Sequence, residues 1–514
     1  MDPMNLFSVI FSRRVLLPLF VILTFIYLYS LWGRTPDVDD AWIGIDAYTL
    51  AKDGYAHTEL MKGINQQEDL FVVHHKLLNL QGALFIKAFG FSLYTLKSVS
   101  LLYSLIFIIL FYFYTRRWKK FFNKDDLLFS FVLLFSFPWF FKYSYTYRPE
   151  IMMMTYGFLG YMLLERYLEL SDKGRWKLFF SGIFFGLAMA VHLNGLIFIV
   201  SAALLLVWNR KFIAVFPFGL GAFLAFLIYF YDYTGLAYFD LWRHQFFDAP
   251  YLDSVQQGPL WLKPVFNLMG EHKRYFHNPE IIVFSDFMFF TLITGFHFLY
   301  REHTNLTRFA ILVAIFTGVL AAHKSRQYLL LNFPYLIILI TLTIKGIKEK
   351  KITHFTKGSP ALTANLIIFF FIVFITGSFL NNIKLATQKF TPEQNRRLAE
   401  KYARGNEKNM NIVAPMTFVF NEVENFHQIQ GEICYVGLKK GDSTIFGKGF
   451  LDKAYAFDRD LIMITPYYQH IFGLESYQKG DEFKNYRVID KNKEMIVFKR
   501  KESNLPDITA KQTK

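Results

Sequence analysis

One cysteine stands in 514 residues, Cys434. It has no partner within the chain for a disulfide, and no companions for a Cys-rich metal cluster. It leaves the compartment open. There is no Rossmann-like glycine fingerprint, no glycine-rich phosphate loop and no ligand-spacing motif for a metal. No internal repeat runs through the chain. After the first long apolar run comes Trp32-Gly33-Arg34, not the small residues of a cleavage site, so an uncleaved first helix is expected. Charged residues are also scarce, at 19% against 53% hydrophobic. That balance argues against a soluble multi-domain protein.

What the chain has instead is apolar length. Aromatic residues make up 19%, with 61 Phe and 30 Tyr, and mean hydropathy is +0.25. Runs of bilayer length alternate with polar loops, the pattern of a polytopic α-helical membrane protein. About eleven spans are expected, near 15–32, 94–114, 127–141, 151–168, 178–191, 193–208, 213–231, 284–300, 309–322, 327–344 and 361–380. The formal charge of +15 would suit nucleic acid, but its location argues otherwise. With a cytoplasmic N-terminus, one set of short loops collects Arg13, Arg14, Arg116, Arg117, Lys119, Lys120, Lys124, Lys173, Arg175, Lys177, Arg210 and Lys211, and later Arg301, Arg308 and the lysines from 345 to 357. The short loops of the opposite side hold Lys142, Arg148, Lys324 and Arg326. Positive residues favour the cytoplasmic side, and near a membrane they meet anionic headgroups. Nucleic acid is therefore not expected as a partner. The expected location is an integral membrane protein of a bacterial inner membrane, with its C-terminus outside.

Two outer loops are long, 33–93 and 232–283, within a membrane module expected over 1–382. The first opens with PDVDDAWIGIDAYTLAKDGY, which puts Asp37, Asp39, Asp40 and Asp46 directly after a span. Its later part, from Leu77 to Phe91, fits a helix lying along the membrane surface. The second carries clustered aromatics, among them Tyr238, Trp242, Phe246, Tyr251 and Trp261, which favour the headgroup level. Over 383–501 the composition turns polar. A charged helix at 391–404 and short strands at NIVAP, EICYVG, LIMITP, YRVID and MIVFKR point to a small outer-face α/β domain, the last two strands forming a hairpin. Residues 502–514 read as a disordered tail.

Five outer-edge stretches could carry chemistry, and each also has a plain reading. Asp39 and Asp40 start a helix, where they are either solvated or held rigidly as a general base or metal ligand. Arg148-Pro149-Glu150 has a proline suited to a first turn and an acid suited to the helix dipole. It also sets a phosphate-binding guanidinium beside a second carboxylate. His74-His75-Lys76 is either an exposed loop or a phosphate-headgroup site. His192 marks a break between two spans. His323, Lys324, Arg326 and Tyr328 either anchor at the interface or clamp a phosphate, and these cations run against the positive-inside bias. Together they suit a reaction between a lipid phosphate in the bilayer and a nucleophile at its surface.

These motifs, in this order, resemble the GT-C class of membrane glycosyltransferases, of the family 39 type that includes protein O-mannosyltransferases and lipid A aminoarabinose transferases. The resemblance covers residues 10–345. Asp39-Asp40-Ala41-Trp42 through Asp53-Gly54-Tyr55 resembles the family's acidic pair and following helix, with Asp40 for the usual Glu. His74-His75-Lys76 and Lys87-Ala88-Phe89-Gly90 resemble its later loop, without the prolines. Arg148-Pro149-Glu150 resembles its Arg-x-Asp, and His323, Lys324 and Tyr328 its late segment, with Pro334 following. The resemblance implies inverting transfer of a sugar from a polyprenyl-phosphate donor to a hydroxyl acceptor on a glycolipid, a wall polymer or a protein. It implies Asp39 as base with Asp40 and Glu150 beside it, and Lys76, Arg148, Lys324, Arg326 and Tyr328 around the donor phosphate. His74, His75, His192 and His323 then complete the cavity. A divalent metal on the carboxylates stays open at this point. The rival class is a flippase of lipid-linked sugars, which should place polar residues at mid-membrane within repeats.

Overall fold

In a computed structural model, residues 3–170, 174–248, 262–321, 324–352 and 360–501 are described. His323, Tyr251, Trp261 and the expected tail 502–514 lie outside them. The membrane part is helical throughout. Six helical stretches among the described residues are long and apolar enough to cross a bilayer: Pro3–Ser30, Leu93–Trp118, Phe212–Phe230, Pro279–Glu302, Arg326–Lys348 and Ala361–Ala386. Leu193–Trp208 and Thr304–Leu320 are shorter apolar helices. The remaining expected runs are also helical. One breaks into Lys124–Ser136 and Pro138–Tyr143, because Pro138 lacks the N–H that would continue the ladder. Pro149–Glu169 is 21 residues long but carries Glu150, Glu165, Arg166 and Glu169. Arg175–Val191 ends at His192, whose extended backbone interrupts the helix before Leu196–Trp208.

The segments expected on the outer side build a second layer on this bundle. Val38–Asp53, here the acidic helix, is fixed at both ends. Asp37 and Asp40 form a reciprocal capping box at its start, and Gly54, with φ 87°, ends it in the left-handed conformation that glycine adopts without strain. Against it packs the helix Lys76–Phe89, the segment expected along the membrane surface and called the interfacial helix for that expectation. The two approach closely because Gly82 has no side chain: a Cβ there would sit 2.0 Å from the Tyr147 hydroxyl and 2.9 Å from Ala47. The interfacial helix keeps Leu84 and Phe89 exposed, as an element lying in headgroups would. The second outer loop contains Leu236–Phe247, Lys263–Met269 and His272–Phe276.

The C-terminal part is a six-stranded mixed sheet. Its strands are β1 (Asn411–Ala414), β2 (Gln428–Gly431), β3 (Leu461–Ile464), β4 (Glu482–Phe483), β5 (Tyr486–Lys491) and β6 (Ile496–Arg500), in spatial order β2-β1-β3-β6-β5-β4. β1 pairs in parallel with β2 and β3, and β5–β6 is an antiparallel hairpin. All four residues of β3 are buried, as a central strand covered on both faces must be. The sheet sits on the first outer loop. Tyr48 donates to Glu424 at 2.9 Å, Gln430 and Cys434 donate to the Lys62 carbonyl at 3.1 and 3.2 Å, and Phe390 N–H donates to the Gly33 carbonyl at 3.0 Å.

Candidate active site

Where bundle, outer helices and sheet domain meet lies a cavity of about 580 Å³. Asp39, Arg148, Glu150 and His192 give it polar corners, and Trp42, Leu193, Phe246 and Ile433 are among its many apolar walls. A second cavity of about 530 Å³ is strongly cationic, with Lys142, Lys273, Lys324 and Arg326 around Trp139 and Tyr143. Arg148 stands at the partition. It lines the first cavity, and its guanidinium lies 5.3 Å from the ring of Tyr143, which lines the second.

The two neighbouring acids separate sharply. Asp40 is fully buried. It accepts from Asp37 N–H at 2.7 Å and from Tyr147 N–H at 2.6 Å, and Lys97 Nζ is 3.7 Å away. Burial holds its carboxyl above the usual carboxylate range, against the pull of Lys97 and the two backbone bonds. Its oxygens tie the acidic helix to the segment that delivers Arg148. Asp39, one residue earlier, faces the cavity instead and is ion-paired with Arg148. Arg148 also forks onto Glu150, through Nε at 3.1 Å and a terminal nitrogen at 2.9 Å. Asp37 sits on the other side of Asp40. Burial pushes it up, but Lys142 at 2.7 Å more than offsets this and holds it below the usual range.

The histidines form one cluster. The rings of His74 and His192 stack at 5.9 Å with an angle of 11°, and His75 lies 5.2 Å from His192. Tyr328 is 6.2 Å from His192. Burial, then the neighbouring His192, lowers His74 to about 3 and His75 well below its ordinary value. Burial, then Arg148, lowers His192 to about 4. All three are neutral near pH 7, so they offer N–H donors and lone pairs, not charge.

Lys76 does not line either cavity. It is 1% exposed, ion-paired with Asp232, and lies 5.5 and 5.7 Å from the rings of Tyr231 and Tyr238. Lys324 is in the cationic cavity, 3.0 Å from Glu271 and 2.9 Å from the Gly318 carbonyl. Arg326 lies 5.5 Å from the Trp139 ring. The structure thus gathers Asp39, Arg148, Glu150, His74, His75, His192 and Tyr328 around one space, sets Lys324 and Arg326 in the next, and keeps Asp40 and Lys76 behind the walls. Among the described residues no group of three or more His, Cys, Asp or Glu is arranged for a metal ion. The guanidinium of Arg148 fills the place between Asp39 and Glu150 that a cation would take, so these residues do not fit a metal.

Sequence reasoning missed Lys97, which donates to the Arg34 carbonyl at 3.1 Å, and Arg34, which donates to the carbonyls of Phe141 and Lys142. These two buried cations hold the acidic helix against the Arg148 segment. The signal was available: Lys97 begins a span on the side where cations are few. The contribution of Phe246 and of the sheet domain to the cavity had no local signal, since only tertiary packing brings them there.

Residues 78–231 match the family model described as dolichyl-phosphate-mannose-protein mannosyltransferase. Among curated proteins, none matches the chain. Among solved structures, ArnT from Cupriavidus metallidurans bound to undecaprenyl phosphate is similar over 95% of this chain and 98% of that one, with TM-score 0.53 and 12% identity. The apo form of ArnT is similar over 94% and 97%, with TM-score 0.51 and 11% identity. The oligosaccharyltransferase of Archaeoglobus fulgidus tethered to an acceptor peptide is similar over 97% of this chain and 75% of that one, with TM-score 0.56 and 11% identity. At such identities the likeness is one of fold.

Proposed function

We propose that this chain, a GT-C-class membrane glycosyltransferase of the family 39 type, moves a sugar from a polyprenyl phosphate to an acceptor hydroxyl at the outer membrane face. The observation that carries the proposal is Arg148, held by Asp39 and Glu150 at the boundary between a cationic cavity and a largely apolar one. The similar structure of ArnT, bound to undecaprenyl phosphate, supports a donor of that class.

The donor's phosphate enters the cationic cavity among Lys142, Lys273, Lys324 and Arg326. Its sugar crosses the partition and lies against Trp42 and Phe246. A phosphate near the partition competes with Asp39 for Arg148, because guanidinium binds phosphate in the same forked way as carboxylate. Asp39 is thereby released while Glu150 keeps the arginine in place. The freed carboxylate takes the proton of the acceptor hydroxyl as its oxygen attacks the anomeric carbon. The carbon–oxygen bond to phosphate breaks, and its electron pair leaves with the phosphate. That leaving group is stable as an anion, so no carboxylic acid is needed to protonate it, unlike the pair in a glycoside hydrolase. Attack from the side opposite the phosphate inverts the anomeric centre.

The test is transfer from radiolabelled polyprenyl-phosphate hexose by purified protein in detergent, with water and a crude membrane lipid extract as acceptors. Asp39→Asn keeps the shape and removes the base, so a loss of about a hundredfold or more is expected. Unchanged turnover in Asp39→Asn would move the base to Glu150. Absence of turnover with any donor, together with movement of lipid-linked sugar across proteoliposomes, would replace the transferase by a flippase.

A further inference from the structure

The small sheet domain has been placed only as a neighbour of the site, yet it supplies a whole wall. After β2 the chain enters the helix Cys434–Gly441. Ile433, Val436, Gly437 and Lys440 all line the larger cavity. Their spacing of three, four and seven puts them on one helical face. The start of this wall helix is pinned to the membrane module by the Gln430 and Cys434 bonds to the Lys62 carbonyl. Its middle is pressed there too: a Cβ on Gly437 would lie 2.6 Å from Ile64 Cδ1, another residue of the cavity wall.

The chemistry of that face is an apolar surface ending in a cation. Of the paired lysines, Lys439 is committed to its own domain, donating to the Ile471 carbonyl at 2.7 Å and lying 4.7 Å from the Phe446 ring. Lys440 turns to the cavity, is exposed, and pairs with no carboxylate among the described residues. Arg148, by contrast, is taken by Asp39 and Glu150. The cationic cavity assigned to the donor is built from other elements. The helix that lends Phe246 to this cavity also exposes apolar side chains. On this helix, Leu236–Phe247, Leu236 is 82% and Phe247 54% exposed, and Phe89 of the interfacial helix is 73% exposed.

We propose that the wall helix is the acceptor-specificity element, and that the acceptor is a membrane amphiphile with an anionic group beside its reacting hydroxyl. The apolar part lies on Ile433, Val436 and Gly437, and the anion meets Lys440. This rests on the transferase reading above and adds the acceptor's class to it. A peptide acceptor would need hydrogen-bond partners along its backbone, and this face offers apolar side chains instead.

Two lipids separate the features. Phosphatidylglycerol has hydroxyls next to a phosphate, and diacylglycerol has a hydroxyl without one. Given a polyprenyl-phosphate hexose donor, the protein is expected to use phosphatidylglycerol about tenfold faster, the worth of one partly exposed charge contact. Lys440→Gln should bring the ratio of phosphatidylglycerol to diacylglycerol transfer down to about one, Lys440→Glu should reverse it, and Lys440→Arg should keep it. Gly437→Leu fills the wall, so it should lower transfer to both lipids while donor hydrolysis by water continues. Hydrolysis is also the check that this variant is folded. An unaltered lipid ratio in Lys440→Glu, equal use of the two lipids by the parent, or transfer to serine peptides alone would overturn the proposal. Donor left unconsumed by the parent even with water would bring down the transferase reading, and this inference with it.

Discussion

At the scale of single residues, adjacent side chains of one type divide the work by burial. Asp39 and Asp40 are identical in chemistry and next to each other, yet one faces a cavity and the other has its oxygens committed to backbone N–H groups. The sequence offered the pair without ranking its members, because a helix start turns successive side chains about 100° apart and only the packed partner says which way is in. The histidines give this scale its prediction. His74 and His192 have folded values of about 3 and about 4, and His75 lies well below its ordinary value. In the unfolded chain each takes a proton near pH 6.5. The folded state stays neutral until much lower pH, so their contribution is fully present above 6.5 and is lost as pH falls toward the folded values. The slope is about 1.4 kcal/mol per pH unit for each histidine. The melting temperature in detergent should therefore drop between pH 7.5 and pH 5. The drop should be smaller in His75→Gln, and comparing the two proteins removes the opposing effect of buried acids such as Asp40 and Asp46, which burial shifts upward. Equal drops in parent and variant would show that the cluster is not buried as described.

At the scale of elements, the helix Leu236–Phe247 acts as a splint for the histidine segment. Gln245 is 2% exposed and spends its whole amide on that segment: its oxygen accepts from Val72 N–H at 2.9 Å, and its nitrogen donates to the carbonyls of Leu70 at 2.7 Å and Asn65 at 3.0 Å. Tyr238 and Tyr229 add bonds to the Val72 and Val73 carbonyls. His75, held at φ 59°, needs such support, since a side chain at positive φ is strained. Gln245→Ala leaves the buried Val72 N–H and two part-buried carbonyls, of Leu70 and Asn65, without this partner, at a cost of about 1–3 kcal/mol. The expected result is a lower melting temperature together with a raised KM for donor and a smaller change in kcat, because the histidines line the binding space. A fall in melting temperature with both kinetic constants unchanged would confine Gln245 to folding. This splint was not readable from sequence. The aromatics of 232–283 marked a headgroup-level segment, but a glutamine among them carries no local sign that its amide fits a loop some 175 residues earlier. The helices themselves were readable, because apolar length and proline placement act locally. Lys76 shows the limit of that locality. Its place in His-His-Lys suggested a phosphate, and Asp232, far away in the chain, is what it meets.

At the scale of the molecule, the two parts differ in what the sequence could tell. The membrane module declares itself through apolar runs and through the sorting of cations to one side. Four strands of the sheet domain were legible as short β-rich runs, and the hairpin formed where turn residues placed it, but EICYVG, expected as a strand, opens the helix Cys434–Gly441, and the strand β2 lies just before it. That this domain closes a cavity was not legible, because an apolar helix face reads the same whether it packs on its own sheet or on another part of the chain. The charge sorting makes a prediction about the whole chain: the cavity, both outer loops and the sheet domain lie on the side opposite the lysine- and arginine-rich loops. The single native thiol makes this measurable. Cys434 is buried, and burial pushes it up to about 12, so it should resist maleimides in the folded protein. A cysteine placed at Tyr467, which is 70% exposed on the sheet domain, should react with a membrane-impermeant maleimide in intact cells. A cysteine placed at the exposed Arg175, which opens the helix Arg175–Val191 among the cations of the basic set, should react only after the membrane is permeabilised. The reverse pattern would put the cationic cavity on the cytoplasmic side and would require the donor lipid to present its phosphate there.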